Sequence, residues 1–538
     1  MAEQLALPLV ESEPDKGPAR LVRPRRVFVN RNLKMATIDW IGFDMDYTLA
    51  IYNQAEMDNL SIRATVDKLC ARGYPEDVLG DIAYPIEFPI RGLLIDKKHG
   101  HILKMDRFKV VQKGYHGLRE LSKEELRELY ASKKIRPTTG RYHWIDTLYA
   151  LSEATAYVAI VDGLERRKIP VDYGQLFADI REAIDEAHRD GTILDTVMSD
   201  LPRFVERDPA LAQTLHKLRS AGKRLFLLTN SRWPYTEKMM DYLLGGAMPE
   251  YPSFRHYFDV VVVAALKPAL FRGRRPLCEA SGQARGEGGA EGEPRLAGPH
   301  LERGVVYEGG NLHDLERALG CTGDRILYVG DHIYGDILRS KKESAWRTAM
   351  IIQEMEAEVL AHESCRAEIH KSAELLARRE ELEDQLRYWQ QRFKDLSRKP
   401  AKNGHALPVE AENGPTQEVL AGFGIAPGPP LPPREANGKS SADATPAEIE
   451  RTRVKRSVER IRGQLRAVDA EAHALERAID RRFHPYWGSL LKESSETSSF
   501  GDQVEEYACI YTSRVSNLLS YSPLQYFRSP RELMPHEL

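Results

Sequence analysis

Hydrophobic and polar positions along this chain fall into two rhythms. Short apolar runs, rich in β-branched and aromatic residues, stop abruptly at polar groups. The run at 38–43 stops at Asp44, RLFLL at 224–228 stops at Thr229, and FDVVVVAAL stops at Lys267. A fourth run, RILYVG, stops at Asp331. Runs of this kind read as strands buried on both faces. Between and around them the apolar positions recur at helical spacing, as at Leu60, Ile62, Val66 and Leu69, before the stop signals Gly73 and Pro75. Strands alternating with helices predict an α/β fold with a Rossmann-like, mostly parallel core sheet covered on both faces.

The same rhythm marks insertions. The core is predicted over 27–54 and 201–356. Residues 55–200 interrupt it as an α+β cap, with a hairpin over 91–108 turning at His99-Gly100 and helices over 144–166 and 172–190. Residues 272–300 are rich in Gly, Glu and Arg and predict a mobile loop. Two charged stretches, 365–398 and 446–480, carry apolar seams, the second at Val454, Val458, Ile461, Leu465 and Val468. They predict an antiparallel helical arm. The Pro- and Gly-rich piece between them, 399–444, predicts a disordered linker, and 1–26 a disordered arm. Residues 483–538 mix aromatics with short helical runs and are expected to pack on the core.

Composition narrows the class. Net charge is −3, which favours neither nucleic acid nor an acidic membrane. The five cysteines are scattered without a C-x-x-C pair, unlike a disulfide framework or zinc site. The N-terminal stretch lacks the apolar run of a signal peptide, and no stretch has the length of a membrane span. A cytoplasmic protein is expected.

The strand ends carry the chemistry. D-x-D-x-T places Asp44, Asp46 and Thr48 in one loop after an apolar strand. In open α/β sheets that end is where ligands bind. One carboxylate set against Mg²⁺ suits attack on phosphorus, and a second suits protonation of the leaving alkoxide and activation of water. Thr229 and the N–H groups after it suit phosphate oxygens, and Lys267 suits the charge of phosphate and attacking carboxylate. Asp44 and Asp331, with the Asp46 carbonyl, suit Mg²⁺, and Asp336 suits orientation of Lys267 or a metal-bound water. Each group alone has a plainer reading as a cap, turn or solvated charge; together they form a phosphate site.

Longer stretches then match a known pattern. VFVNRNLKMATIDWIGFDMDYTLAIY, FPIRGLLID, LLTNSRWPYTEKMMDYL, YFDVVVVAALKPALF, ILYVGDHIYGDILRSKKESAWRT and the terminal LMPHE resemble the purine cytosolic 5′-nucleotidases of the haloacid dehalogenase superfamily. The likeness runs over about 27–356 and 483–538. It implies a Mg²⁺-dependent hydrolase of IMP- and GMP-type purine nucleoside monophosphates, able to pass phosphoryl to another nucleoside, and a homotetramer. The resemblance puts the nucleophile on Asp44 and the acid/base on Asp46, with metal ligands Asp44, Asp46 and Asp331. Its phosphate contacts fall on Thr229, Asn230, Ser231 and Lys267. In the cap it implies base recognition by Arg181, Asp185 and His188, with Tyr149 as an aromatic neighbour. One departure is Leu194, where the family carries a lysine that contacts substrate. The long arm and Leu194 favour another reading, a non-catalytic scaffold working through its arm, and a third is a phosphatase for another small ester, since fold and chemistry do not fix the leaving group.

Overall fold

The computed structural model describes residues 22–131, 135–137, 139–280, 296–298, 300–338, 344–397 and 446–530. The linker expected over 399–444, residues 1–21 of the expected arm, most of the 272–300 loop and the LMPHE motif lie outside them. By contact density the chain divides into 1–365 with 479–538, and 366–478.

The first unit is built on a nine-stranded sheet. In chain order its strands are β1 (Phe28–Val29), β2 (Trp40–Phe43), β3 (Arg224–Leu228), β4 (Val260–Val263), β5 (Leu277–Glu279), β6 (Val306–Gly309), β7 (Ile326–Gly330), β8 (Arg347–Ile351) and β9 (Ile510–Thr512). Their order across the sheet is β1-β9-β8-β7-β2-β3-β4-β6-β5. All but the edge strands β1 and β5 run parallel. β2, β3, β4 and β7 are buried along nearly their whole length, as continuous apolar runs require when both faces are covered. Helices Pro209–Ser220, Trp233–Leu244 and Leu312–Leu319 provide cover. β2 lies between β7 and β3, so the chain winds outward in both directions from the strand that ends at Asp44. That is the switch point at which α/β sheets open a ligand crevice.

The region after β2 mixes helices and strands. Helix α1 (Gln54–Ala71) starts at the Asn53 cap. Leu93–Asp96 and His101–Met105 form the predicted hairpin. Three strands the sequence did not suggest, Val111–His116, Arg119–Glu120 and Tyr142–Ile145, widen it to a five-stranded antiparallel sheet. The helix predicted over 144–166 therefore begins later, as α2 (Ala150–Arg166), because Trp144 and Ile145 pair with Leu94 and Leu93. Helix α3 (Tyr173–Arg189) is capped by Asp172.

Within the C-terminal stretch, residues 510–512 form a strand that the sequence did not suggest. As β9 they enter the main sheet between β1 and β8. The second unit holds Arg366–Ser397 and most of Pro446–Phe483. Its ion pairs Lys371–Glu471, Arg379–Asp469 and Arg392–Glu450 run in antiparallel order, and Leu382, Val454 and Ile461 are buried.

Two features invite tests. Gly42 on β2 pairs with Phe226 on β3 and Tyr328 on β7. A Cβ there would lie 2.1 Å from the Phe226 ring, which stacks on Tyr328 at 6.3 Å. Gly42→Ala should destabilise the fold by about 1–3 kcal/mol, the usual cost of overpacking, read as a lower denaturation midpoint at unchanged slope. The second is Asp58, buried on α1, whose carboxylate accepts from the Gln54 amide at 2.9 Å and from no other side chain among the described residues. Burial pushes its carboxyl up to about 7. The folded state thus holds a proton that the unfolded chain releases above about pH 4, so stability falls from pH 4 to pH 7. Asp58→Asn should remove that slope and raise stability at pH 8 by on the order of 2–4 kcal/mol, with little change at pH 4. Melts at the two pH values check it.

Candidate active site

Four neighbouring strands deliver their C-terminal residues to one place. Asp44 follows β2, Thr229 follows β3, Lys267 lies in the turn after β4, and Asp331 follows β7. The last strand leads into a π-helical turn, Ile333–Leu338, in which the His332 carbonyl accepts from both Asp336 and Ile337. That wider turn brings Asp336 back over the strand end. Carboxylate oxygens of Asp44, Asp331 and Asp336 all lie within 4.8 Å of one another.

Lys267 is the cation at their centre. Its Nζ is 3.0 Å from Asp44 Oδ1 and 2.6 Å from Asp336 Oδ1, and it donates to the Tyr328 hydroxyl at 2.8 Å. Tyr328 in turn donates to the Leu228 carbonyl. The Asn230 amide bridges the Lys267 backbone, donating to its carbonyl at 2.9 Å and accepting from its N–H at 2.6 Å. The expected phosphate contact of Asn230 is therefore not one its side chain is placed to make; that amide holds the lysine's loop. Of the six described non-glycine residues with left-handed backbone, Tyr47, Ala264 and Leu266 lie in the loops that carry Asp46 and Lys267. Such residues cost on the order of 1–3 kcal/mol each and persist where surrounding contacts impose them.

Asp46 faces another way. Its Oδ1 accepts from the Tyr52 hydroxyl and its Oδ2 from the Ser231 hydroxyl, both at 2.6 Å. Tyr52 also meets the Tyr235 hydroxyl at 2.8 Å. The Asp46 carboxylate is thus separate from the three-acid group, which leaves its backbone carbonyl as the route to a metal. The Ser231 hydroxyl serves Asp46, while the Ser231 N–H donates to Thr229 Oγ1 at 3.1 Å.

Burial sets the electrostatics. It pushes the Asp44 carboxyl well above the usual range; Lys267 opposes this while Asp336, Asp331 and Asp46 add to it. Asp331 is pushed up to about 7 by burial and by Asp336, against Arg91. Burial also raises Asp46, against its two hydroxyl donors. Lys267 stays firmly charged, because Asp336 and Asp44 outweigh the desolvation that works against it. Three buried carboxylates facing one ammonium leave excess negative charge. Oxygen donors at this spacing fit a small hard divalent cation that would neutralise it.

The cap residues form a separate set that reaches the site through aromatics. Tyr47 packs edge-on against Tyr149 at 4.7 Å, and Tyr149 against His188 of α3 at 5.9 Å. His188 is pulled down by burial, with Asp185 and Asp46 acting oppositely. Arg181 lies 3.3 Å from Glu153 and 3.1 Å from His143, and Asp185 is exposed. Leu194 packs half-buried against the apolar core, with no cation in its place. Sequence reasoning missed Tyr52, Tyr235, Tyr328 and Arg91. Tyr52 and Tyr328 sit in apolar runs that look like packing, Tyr235 in the first turn of a helix, and Arg91 stands alone in a loop.

The 5′ nucleotidase family matches residues 27–538. A 5′-nucleotidase domain-containing protein of Dictyostelium discoideum is 28% identical over 533 residues, covering 96% of this chain and 75% of that relative. The 5′-nucleotidase domain-containing protein 2 of Homo sapiens is 32% identical over 352 residues, or 63% of this chain. The chain spans 65% of that human relative, just under two thirds. Among solved structures, CbbY from Rhodobacter sphaeroides in complex with phosphate aligns at 17% identity and a TM-score of 0.23, over 58% of this chain and 86% of its own. No helix among the described residues is long and apolar enough to cross a membrane. With the family match running from the first core strand to the C-terminal stretch, the chain belongs to the 5′ nucleotidase family.

Proposed function

We propose that this chain is a phosphoric monoester hydrolase that cleaves nucleoside 5′-monophosphates through an aspartyl-phosphate on Asp44. The observation that carries the reading is the buried Asp44 carboxylate, held by Lys267 at 3.0 Å beside Asp331 and Asp336. Lys267 and the Met45 N–H both engage Asp44 Oδ1, which leaves Oδ2 to face phosphorus. As Oδ2 bonds to phosphorus, the ester P–O bond breaks and the leaving nucleoside oxygen takes a proton from Asp46. Asp46 then removes a proton from water, the water oxygen attacks phosphorus, and Asp44 and phosphate are released. The raised proton affinity of Asp46 suits the first step. Thr229 and the Asn230 N–H after it hold phosphate oxygens, with Lys267 offsetting their charge. Mg²⁺ held by Asp44, Asp331, Asp336 and the Asp46 carbonyl would supply charge neutralisation at the phosphoryl oxygens.

The finer reading is a preference for IMP and GMP, a capacity to transfer phosphoryl to a second nucleoside, a homotetrameric assembly and a cytoplasmic location. The base preference rests on the cap, since the strand-end groups touch only phosphate and metal. A 6-hydroxypurine presents a carbonyl acceptor at position 6 and an N–H donor at position 1. Arg181 only donates and ionised Asp185 only accepts, so they match that edge and mismatch adenine. Arg181 has further N–H groups beyond the one on Glu153. The scaffold alternative finds less support, because Asp44, Lys267, Asp331 and Asp336 gather at the strand ends.

Purified Asp44→Asn protein should lose Mg²⁺-dependent phosphate release by on the order of 10³-fold or more, with its fold intact by circular dichroism. Near-normal turnover by that variant would sink the covalent route, and a folded wild-type chain inactive on every nucleoside monophosphate would favour the scaffold. In the same assay IMP or GMP should exceed AMP by about 10²-fold, since each unpaired polar group in the pocket costs roughly 1–3 kcal/mol. Asp185→Ala should then lower efficiency on IMP far more than on p-nitrophenyl phosphate. Equal losses on both substrates would remove the base-reading role of α3.

A further inference from the structure

Arg91 stands just before the cap strand Leu93–Asp96 and is 1% exposed, an unusual burial for arginine. Among the described residues, its guanidinium bonds go to the segments that follow β7 and β8. Nε donates to Glu354 Oε1 at 2.8 Å and Nη2 to Glu354 Oε2 at 2.6 Å, a bidentate fork. Nη1 donates to the backbone carbonyl of Asp331 at 2.9 Å. Gly92 has a left-handed backbone, and a Cβ there would lie 2.5 Å from that of Phe500, whose ring the Arg91 guanidinium covers at 5.1 Å. The segment is thus closed in on both sides. A second grip falls on the next residue of the same loop, where the His332 ring lies 3.3 Å from Asp146. Arg91 and Asp146 are brought together by their strands, since Leu93 pairs with Ile145 and the Gly92 N–H donates to the Ile145 carbonyl.

Three buried carboxylates within 4.8 Å repel one another, so keeping Asp331 among them needs contacts that hold its loop in place. The geometry points to Arg91 as the positioning residue that holds Asp331 in the acid group, by clamping its carbonyl to Glu354 and placing a fixed positive charge behind it. This deepens the proposed divalent-cation site and rests on that reading. Because Arg91 belongs to the cap, cation affinity becomes coupled to how the cap is seated. Anything that lifts the first cap strand would also loosen Asp331.

The test is Mg²⁺ binding by the full chain, measured by calorimetry and by the Mg²⁺-induced rise in melting temperature, for wild type, Arg91→Lys and Glu354→Gln. Lysine keeps the charge and loses the fork; glutamine keeps the shape and loses half of the clamp. Both variants should weaken Mg²⁺ binding by about 10–100-fold, the usual effect of removing a group that orients a ligand. At saturating Mg²⁺, kcat and the KM for a nucleoside monophosphate should return close to wild type. Variants that bind Mg²⁺ as tightly as wild type, with only a lower baseline melting temperature or a lower kcat, overturn the positioning role alone. A wild-type chain with neither a calorimetric signal nor a Mg²⁺-dependent melting shift overturns the cation site and the inference together.

Discussion

Everything at the strand ends depends on one buried ammonium between two carboxylates. Lys267, 2.6 Å from Asp336 and 3.0 Å from Asp44, is too far from water to be replaced by solvation. Removing one partner of such a group leaves an uncompensated buried charge, which is far costlier than losing an exposed pair. The surrounding structure is arranged accordingly. Asn230 fixes the lysine backbone, Tyr328 fixes its head, and the left-handed residues Ala264 and Leu266 bend the turn that presents it. Tyr328 is held in turn by the aromatic stack that Gly42 makes room for, so the constraint reaches from the reacting group into the middle of the sheet.

The sheet was legible in the sequence because parallel strands buried on both faces leave continuous apolar runs, and these end at the residues that matter. RLFLL was readable to the residue, as β3 shows. The cap sheet was not. Val111–His116 and Tyr142–Ile145 are partly exposed and carry Gln, Lys and His, so neither a period of two nor an apolar run marks them. β9 was missed for another reason: Ile510–Thr512 is only three residues long, and its role follows from partners far away in sequence. Within the site, the groups proposed to touch phosphate or metal follow recognisable strand ends. The groups that orient them do not, because a tyrosine in a strand and an arginine in a loop have no pattern of their own. Asn230 and Ser231 show the converse. Both were visible as a polar cluster, yet their hydroxyl and amide turn toward protein partners that no spacing reveals.

The Asp44 and Asp46 carboxylates, proposed as nucleophile and acid/base, are only two residues apart and live in different surroundings. Asp44 answers to charges, a lysine and two other acids, whereas Asp46 answers to neutral hydroxyls from Tyr52 and Ser231. A single loop thereby offers one carboxylate suited to ionic partners and one suited to exchanging protons, and environment rather than residue type divides the labour.

The placement of β9 bears on how the chain is made. β8 is complete by residue 351, but the neighbour that closes its outer side is residues 510–512. During synthesis the whole of 366–478 must leave the ribosome before that neighbour exists. At the usual bacterial-to-eukaryotic elongation rates of about 5–20 residues per second, a long interval passes with an apolar strand edge unpaired. An edge in that condition is a template for pairing with another nascent chain. The sheet is therefore a structure that translation cannot finish piecemeal, since β8 gains its outer neighbour only when residues 510–512 have been made.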